Sequence, residues 1–252
     1  MKFFLNKCSN VQNSNGSSLF FSLDIYQNFK ELKTLDLRWN KIASVEPKLF
    51  EVLDNLVEVD LRDNQLSKIE EHSFQGLKHL KKLNLNGNKI SSIEPKSFVG
   101  LENLEGLDLS GNQLSKIEEH SFQGLKQLKI LDLRENQISS IEPNAFDGLE
   151  NLKKLDFRLN ILSEIKKNSF QGLKQLTNLI IHLNHIKSIE PKSFQGLDNL
   201  EELDLTCNKM SKIEENSFLG LTKLIKLNLR DIKITSIKPK SFAGLDNLEA
   251  LD

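Results

Sequence analysis

Nine phenylalanines recur at one constant interval, at Phe50, Phe74, Phe98, Phe122, Phe146, Phe170, Phe194, Phe218 and Phe242, and the interval never slips. So rigid a spacing restricts the chain to folds that repeat one short unit, because each copy must give its phenylalanine an equivalent environment. Asparagine keeps the same interval from Asn40 to Asn208, and glycine keeps it from Gly76 to Gly244. Nine units fill residues 32–247, and a tenth begins at Leu248 and stops after Leu251, so 248–252 reads as the start of a truncated tenth repeat. Residues 1–31 read as a cover for the first coil. Shifting the frame back by one unit sets Phe21 at the Val45 position, Tyr26 at the Phe position and Phe29 at the following Leu position, a decayed half-repeat.

One unit reads Leu80-x-x-Leu83-x-Leu85-x-x-Asn88-x-Ile90-x-x-Ile93, then Phe98-x-Gly100-Leu101. Leu83-Asn84-Leu85-Asn86 alternates with period two and predicts a short strand, leucines on one face and polar residues on the other. Glu94-Pro95-Lys96-Ser97-Phe98, closed by Gly100, has proline where a short helical turn would start and glycine where it would end. A unit of strand, turn and return cannot bury its own leucines. Successive coils must therefore stack, with parallel strands about 4.8 Å apart. The Asn ladder would bond backbone groups of its own and the adjacent coil, and the Phe ladder would fill the outer side of the core. Ile232 replaces Asn in the ninth unit, which predicts a looser turn there. Pro47, Pro95, Pro143, Pro191 and Pro239 recur in every second unit, which shows that the array grew by copying pairs of coils.

The L-x-x-L-x-L-x-x-N-x-L segment, complete in eight units and lacking only the Asn in the ninth, resembles the leucine-rich repeat family. The Phe-x-Gly-Leu tail is similar to the subclass found in animal extracellular proteins such as Toll-like receptor ectodomains. That resemblance implies an α/β right-handed solenoid, with parallel strands on the concave face and short helical or 3-10 turns on the convex face. It also implies a non-enzymatic scaffold, part of a receptor or matrix-type ectodomain at the cell surface or outside it, binding a protein ligand or co-receptor through the concave face. The alternatives are an intracellular, cytoplasmic scaffold and a pattern-recognition module for carbohydrate or lipoprotein.

The 34 basic and 35 acidic side chains leave a formal charge of −1, which removes bulk attraction for nucleic acid and speaks against it as a partner. No apolar run reaches the about 20 residues of a membrane span, so membrane insertion is not expected. Phosphate-loop, dinucleotide, nucleophile-elbow and zinc-protease motifs are missing, which predicts no enzyme and no cofactor. His182 and His185 form the one close histidine pair, without a Cys or carboxylate at metal-ligand spacing, so no metal is expected. Cys8 and Cys207 are the two cysteines. Seven strand spacings, roughly 34 Å, would separate them, too far for a disulfide. A glycosylation acceptor sequence lies at Asn15-Gly16-Ser17.

In a stacked array, function belongs to exposed strand positions, which vary without touching the core. One column carries Asp36, Asp60, Asn84, Asp108, Asp132, Asp156, Ile180, Asp204 and Asn228. Two positions further on stand Arg38, Arg62, Asn86, Ser110, Arg134, Arg158, His182, Thr206 and Arg230. Self-neutralisation is one reading of these columns. An ionic docking strip, strongest where Arg38 and Arg62 adjoin Trp39, is the other. The residue before the Asn turns apolar at Leu159, Leu183 and Cys207, and Ile180 interrupts the aspartates, with Ile130 and Ile161 flanking. These side chains are expected to form one apolar partner-binding patch with His182 and His185 at its margin.

Overall fold

A computed structural model describes residues 2–4, 18–19, 31–47, 49–51 and 53–252. The leucine alternation yields one short strand per coil. The strands Lys2–Phe4, Thr34–Asp36, Glu58–Asp60, Lys82–Asn84, Gly106–Asp108, Ile130–Asp132, Lys154–Asp156, Asn178–Ile180, Glu202–Asp204, Lys226–Asn228 and Ala250–Leu251 form one 11-stranded sheet. Its strands lie in chain order and are parallel throughout. From repeat one onward the register advances by the repeat itself, Leu83 beside Leu107 and Leu131 beside Leu155. Coils thus stack as a solenoid whose leucines, isoleucines and phenylalanines form one continuous core.

Each phenylalanine from Phe50 to Phe218 is buried, and successive rings stack at centroid separations of 5.7–6.3 Å through to the partly buried Phe242. These are offset-stacking distances, so the Phe ladder adds aromatic attraction to its apolar burial. The Asn ladder clamps coil to coil. Asn112 Oδ1 accepts a hydrogen bond from Ile90 N at 2.9 Å, and its Nδ2 donates to Leu85 O, Leu109 O and Ser110 O. Asn64, Asn88, Asn136, Asn160, Asn184 and Asn208 repeat this pattern. Carbonyls left open where the chain leaves the strand are thereby satisfied inside the stack.

The outer segment corrects the expected helix. Among the described residues it is a succession of turns with no helix. Ser97 N donates to Glu94 O, Val99 N to Lys96 O and Leu101 N to Phe98 O, but Lys96 (φ 61°) and Gly100 (φ 97°) are left-handed. A helix cannot run through such residues. Pro95 is therefore the second residue of a type II turn whose third is Lys96, and not the first residue of a helix. Even repeats place His72, His120, Asn168 and Asn216 at that left-handed site, residue types that tolerate it better than most.

The outer edge is bonded in twos. Two-stranded sheets join Lys68–Ile69 to Ser92–Ile93, Lys116–Ile117 to Ser140–Ile141, Glu164–Ile165 to Ser188–Ile189 and Lys212–Ile213 to Ser236–Ile237. In odd repeats the amide at the proline turn reaches back to the preceding coil, as Glu94 N does to Ile69 O at 3.0 Å. In even repeats the equivalent amide of Glu70 or Lys166 turns to its own Ser73 or Ser169 Oγ. The two-unit period of the prolines is thus a physical pairing of coils.

At the N-terminus, Phe3 lies beside Leu35 and Leu19 beside Val45. The shift by one unit sets Phe21 at the Leu19 place, so the observed register differs from the expected one, and Lys2–Phe4 adds a strand the pattern does not announce. Phe21, Tyr26, Phe29, Cys8 and Asn15 lie outside the described residues.

Candidate functional site

The solvent side of the long sheet has three columns per coil, followed by a turn. The residue that starts the turn is left-handed in every repeat: Trp39, Asp63, Gly87, Gly111, Glu135, Leu159, Leu183, Cys207 and Asp231, with φ between 53° and 66°. Glycine adopts this conformation freely, whereas a side chain there costs about 1–2 kcal/mol. Leu159 and Leu183 accept that cost and are also 43% exposed. The coil asks only for a left-handed backbone at this position, so nothing in the stack accounts for a leucine.

The expected single patch is divided among three places. Leu159, Leu183, His185 and Cys207 line one shallow depression of about 440 Å³ together with Asn160, Asn184 and Lys209. Ile180, half-buried at the end of its strand, borders a second hollow with Asp204 and Asn228. Ile130, 51% exposed, belongs to a third around Gly106. The left-handed residue explains the split, because it ends the period-two alternation and turns Leu159 and Leu183 away from the line of the strand side chains. Ile161 is exposed, in the repeat position that His185 occupies one coil later. His182 is not in the apolar depression. Its Nδ1 lies 3.8 Å from Asp204 Oδ2, and its Nε2 is buried without a hydrogen-bond partner. Cys207 carries a free thiol, and no group of three metal-ligating side chains occurs among the described residues.

The ionic columns are bound to each other. Arg38 Nη2 meets Asp36 Oδ2 at 2.7 Å, and the Arg38 Nε lies 3.6 Å from Asp60. Arg62 meets Asp60 at 2.7 Å, Arg134 meets Asp132 at 2.8 Å and Arg158 meets Asp156 at 2.6 Å. The hydrogen bond to Asp36 raises the Arg38 pKa, and that to Asp60 raises the Arg62 pKa. These arginines are fastened to their own sheet, which corrects the picture of an open ionic strip. Trp39 stands apart, 69% exposed, with the Arg38 guanidinium 4.9 Å from its ring centroid. Asp132 is pushed up from the usual carboxylate range, chiefly by burial and further by Asp108 in the neighbouring strand.

The third hollow escapes a reading of the sequence alone. It opens over Gly106, has a volume of about 420 Å³ and is bordered by Lys82, Asn84, Asp108, Ile130 and Asp132. The signal sits in the column two positions before the aspartates, where Thr34, Glu58, Lys82, Ile130, Lys154, Asn178, Glu202 and Lys226 surround one glycine.

Family models decide the class. A leucine rich repeat model matches residues 30–90, 54–114 and 78–138, and a BspA type leucine rich repeat region of six copies matches 116–249. The chain is a leucine-rich repeat protein. No curated protein sequence matches it. Among solved structures, the TLR13–ssRNA13 complex is similar at 33% identity and TM-score 0.83, over 90% of this chain and 34% of that one. A leucine-rich repeat protein of Leptospira interrogans is similar at 32% identity and TM-score 0.62, over 92% of this chain and 62% of its own. The Toll–Spätzle complex of Drosophila shares the fold at 18% identity and TM-score 0.73, over 96% of this chain and 34% of that one. The leucine-rich repeat chain thus spans between a third and two thirds of these structures. One of them is a complex with ssRNA13, so the expectation that excludes nucleic acid is not supported for this fold. No helix among the described residues is long and apolar enough to cross a membrane.

Proposed function

We propose that the chain is a non-enzymatic scaffold that grips a protein partner along the solvent side of its long sheet and the adjoining depression at Leu159, Leu183 and Cys207. In this reading 32–247 carry the working surface and 1–31 cover the first coil. The observation that carries it is the pair Leu159 and Leu183, two leucines held left-handed and exposed at sites where Gly87 and Gly111 serve the same coil. Burying what remains exposed of such leucines under a partner returns about 1 kcal/mol each. A protein fits better than a polyanion, because the basic column is already bound to Asp36, Asp60, Asp132 and Asp156. The family and its receptor relatives support a place at the cell surface or outside the cell, and surface biotinylation of producing cells tests that placement.

The binding test uses the full chain with Leu159→Glu and Leu183→Glu. Both variants keep the far-ultraviolet spectrum and melting point of the wild type and lose the protein partner. A partner retained by both variants, or displaced from wild type by single-stranded RNA, would overturn the reading.

A further inference from the structure

Repeats three and four interrupt the carpet of charged side chains. Arginine follows the aspartate at the second position on in repeats one, two, five and six, whereas repeat three has Asn84 and Asn86 and repeat four has Asp108 and Ser110. Asp108 Oδ1 accepts the amide and hydroxyl of Ser110, and Oδ2 has no hydrogen bond or ion pair among the described residues, the charges of Arg62 and Arg134 acting on it only from a distance. The hollow of about 420 Å³ lies beside it. Its floor is Gly106, where an added Cβ would meet nothing within 4 Å, and Ile130 gives it an exposed apolar wall. The same sheet shows how this aspartate column takes a guanidinium: Arg62 Nη2 reaches Asp60 Oδ2 at 2.7 Å while its Nε bonds the same carboxylate.

We propose that the hollow over Gly106 receives an arginine side chain of a partner polypeptide, its aliphatic stem against Ile130 and its guanidinium on Asp108, reached from the Gly106 side and not from two positions further on, where the sheet's own arginines stand. The planar fork suits a carboxylate in a way an ammonium does not. The rim narrows the partner further. Lys81 and Lys129 share the single carboxylate of Glu105, and Lys82 forms no ion pair among the described residues. A run of basic residues is repelled there, so the segment presents one isolated arginine with neutral or acidic neighbours. Asp204, followed by Thr206, also lacks an arginine, but His182 faces it and Asn178 and Glu202 stand where the Gly106 gap would be. The inference rests on the scaffold reading and names the chemistry of one contact.

The test titrates the full chain with a short capped peptide, one arginine between glycines and alanines, followed by amide and side-chain NMR shifts. Matched peptides carry citrulline, lysine or three consecutive arginines. The arginine peptide gives saturable shifts at Gly106, Asp108, Ser110 and Ile130, and the citrulline peptide binds at least about tenfold more weakly. Asp108→Asn abolishes the shifts without disturbing the coil, since Asn84 and Asn228 already accept the equivalent amide. Ser110→Arg supplies the missing guanidinium from within and also abolishes them. Gly106→Leu fills the hollow from a position with open space. Shifts unchanged in these variants, or spread equally over Asp36, Asp60 and Asp156, overturn the proposal. Leu183→Glu separates the two readings: it leaves the arginine titration intact even where it costs the protein partner. A wild type blind to the peptide but still dependent on Leu183 for its partner sinks this inference alone.

Discussion

Repeat nine has Ile232 where repeat eight has Asn208, and the comparison of the two turns shows what the asparagine does. Asn208 Oδ1 holds Ile186 N at 3.0 Å, its Nδ2 holds Ile181 O and Leu205 O, and beside it Lys209 N reaches Ile186 O at 2.8 Å. Ile232 offers no polar group, and the matching bond from Lys233 N to Met210 O does not form. The turn closes on itself instead, through Ile234 N to Ile232 O at 2.9 Å. Ile237 is 59% exposed where its counterpart Ile213 is buried. The looser turn follows from the missing amide and the backbone bond lost with it. A side-chain amide thus serves as a fastener between coils, and the backbone bond next to it depends on that fastener.

Five substitutions sharpen this comparison. Phe122→Ala is expected to cost about 4 kcal/mol in urea unfolding and Phe242→Ala less than half of that, because the terminal ring is only partly enclosed. Equal losses would mean that the last coil is as tightly built as the middle. Asn136→Ile carries the ninth repeat's residue into the centre and strands Leu114 N, Leu109 O and Leu133 O, at a cost of about 3 kcal/mol. A cost near zero would mean that the amide does not fasten the coils. The reverse change, Ile232→Asn, should gain about 1 kcal/mol and slow hydrogen exchange at Met210 and Lys233, and unchanged exchange would count against the fastener. Smallest is Leu159→Gly, which relieves a left-handed leucine and should raise stability by about 0.5 kcal/mol while weakening partner binding. A loss of stability would show that Leu159 is part of the core.

The coil is legible from the sequence wherever identity at a fixed spacing encodes burial. Leu83, Asn88 and Phe98 each sit where a stacked strand, turn and core require them. What escapes lies in backbone conformation and in alignment across coils. Pro95 suits the first position of a helix and the second of a turn equally, and only the left-handed Lys96 distinguishes them. Carrying the alternation one position past its end makes Leu159 a neighbour of Ile180, which the structure does not. Gly106 is ordinary along the chain and becomes a hollow only between Lys82 and Ile130 of adjacent strands. Lys2 pairs with Thr34 across a longer stretch of chain than separates any later pair of strands in the long sheet, an interval outside the period.

The alternate bonding of the outer edge sets how the array bends and how it changes length. Within each doublet, such as Lys116–Ile117 with Ser140–Ile141, two coils are tied on both margins. Between these doublets the outer margin has no such ladder among the described residues, so flexing is concentrated at every second junction and the arc behaves as a row of two-coil vertebrae. Excising a whole doublet keeps every joint matched. Removing a single coil sets two like halves face to face, so an array built in this way lengthens and shortens by even steps.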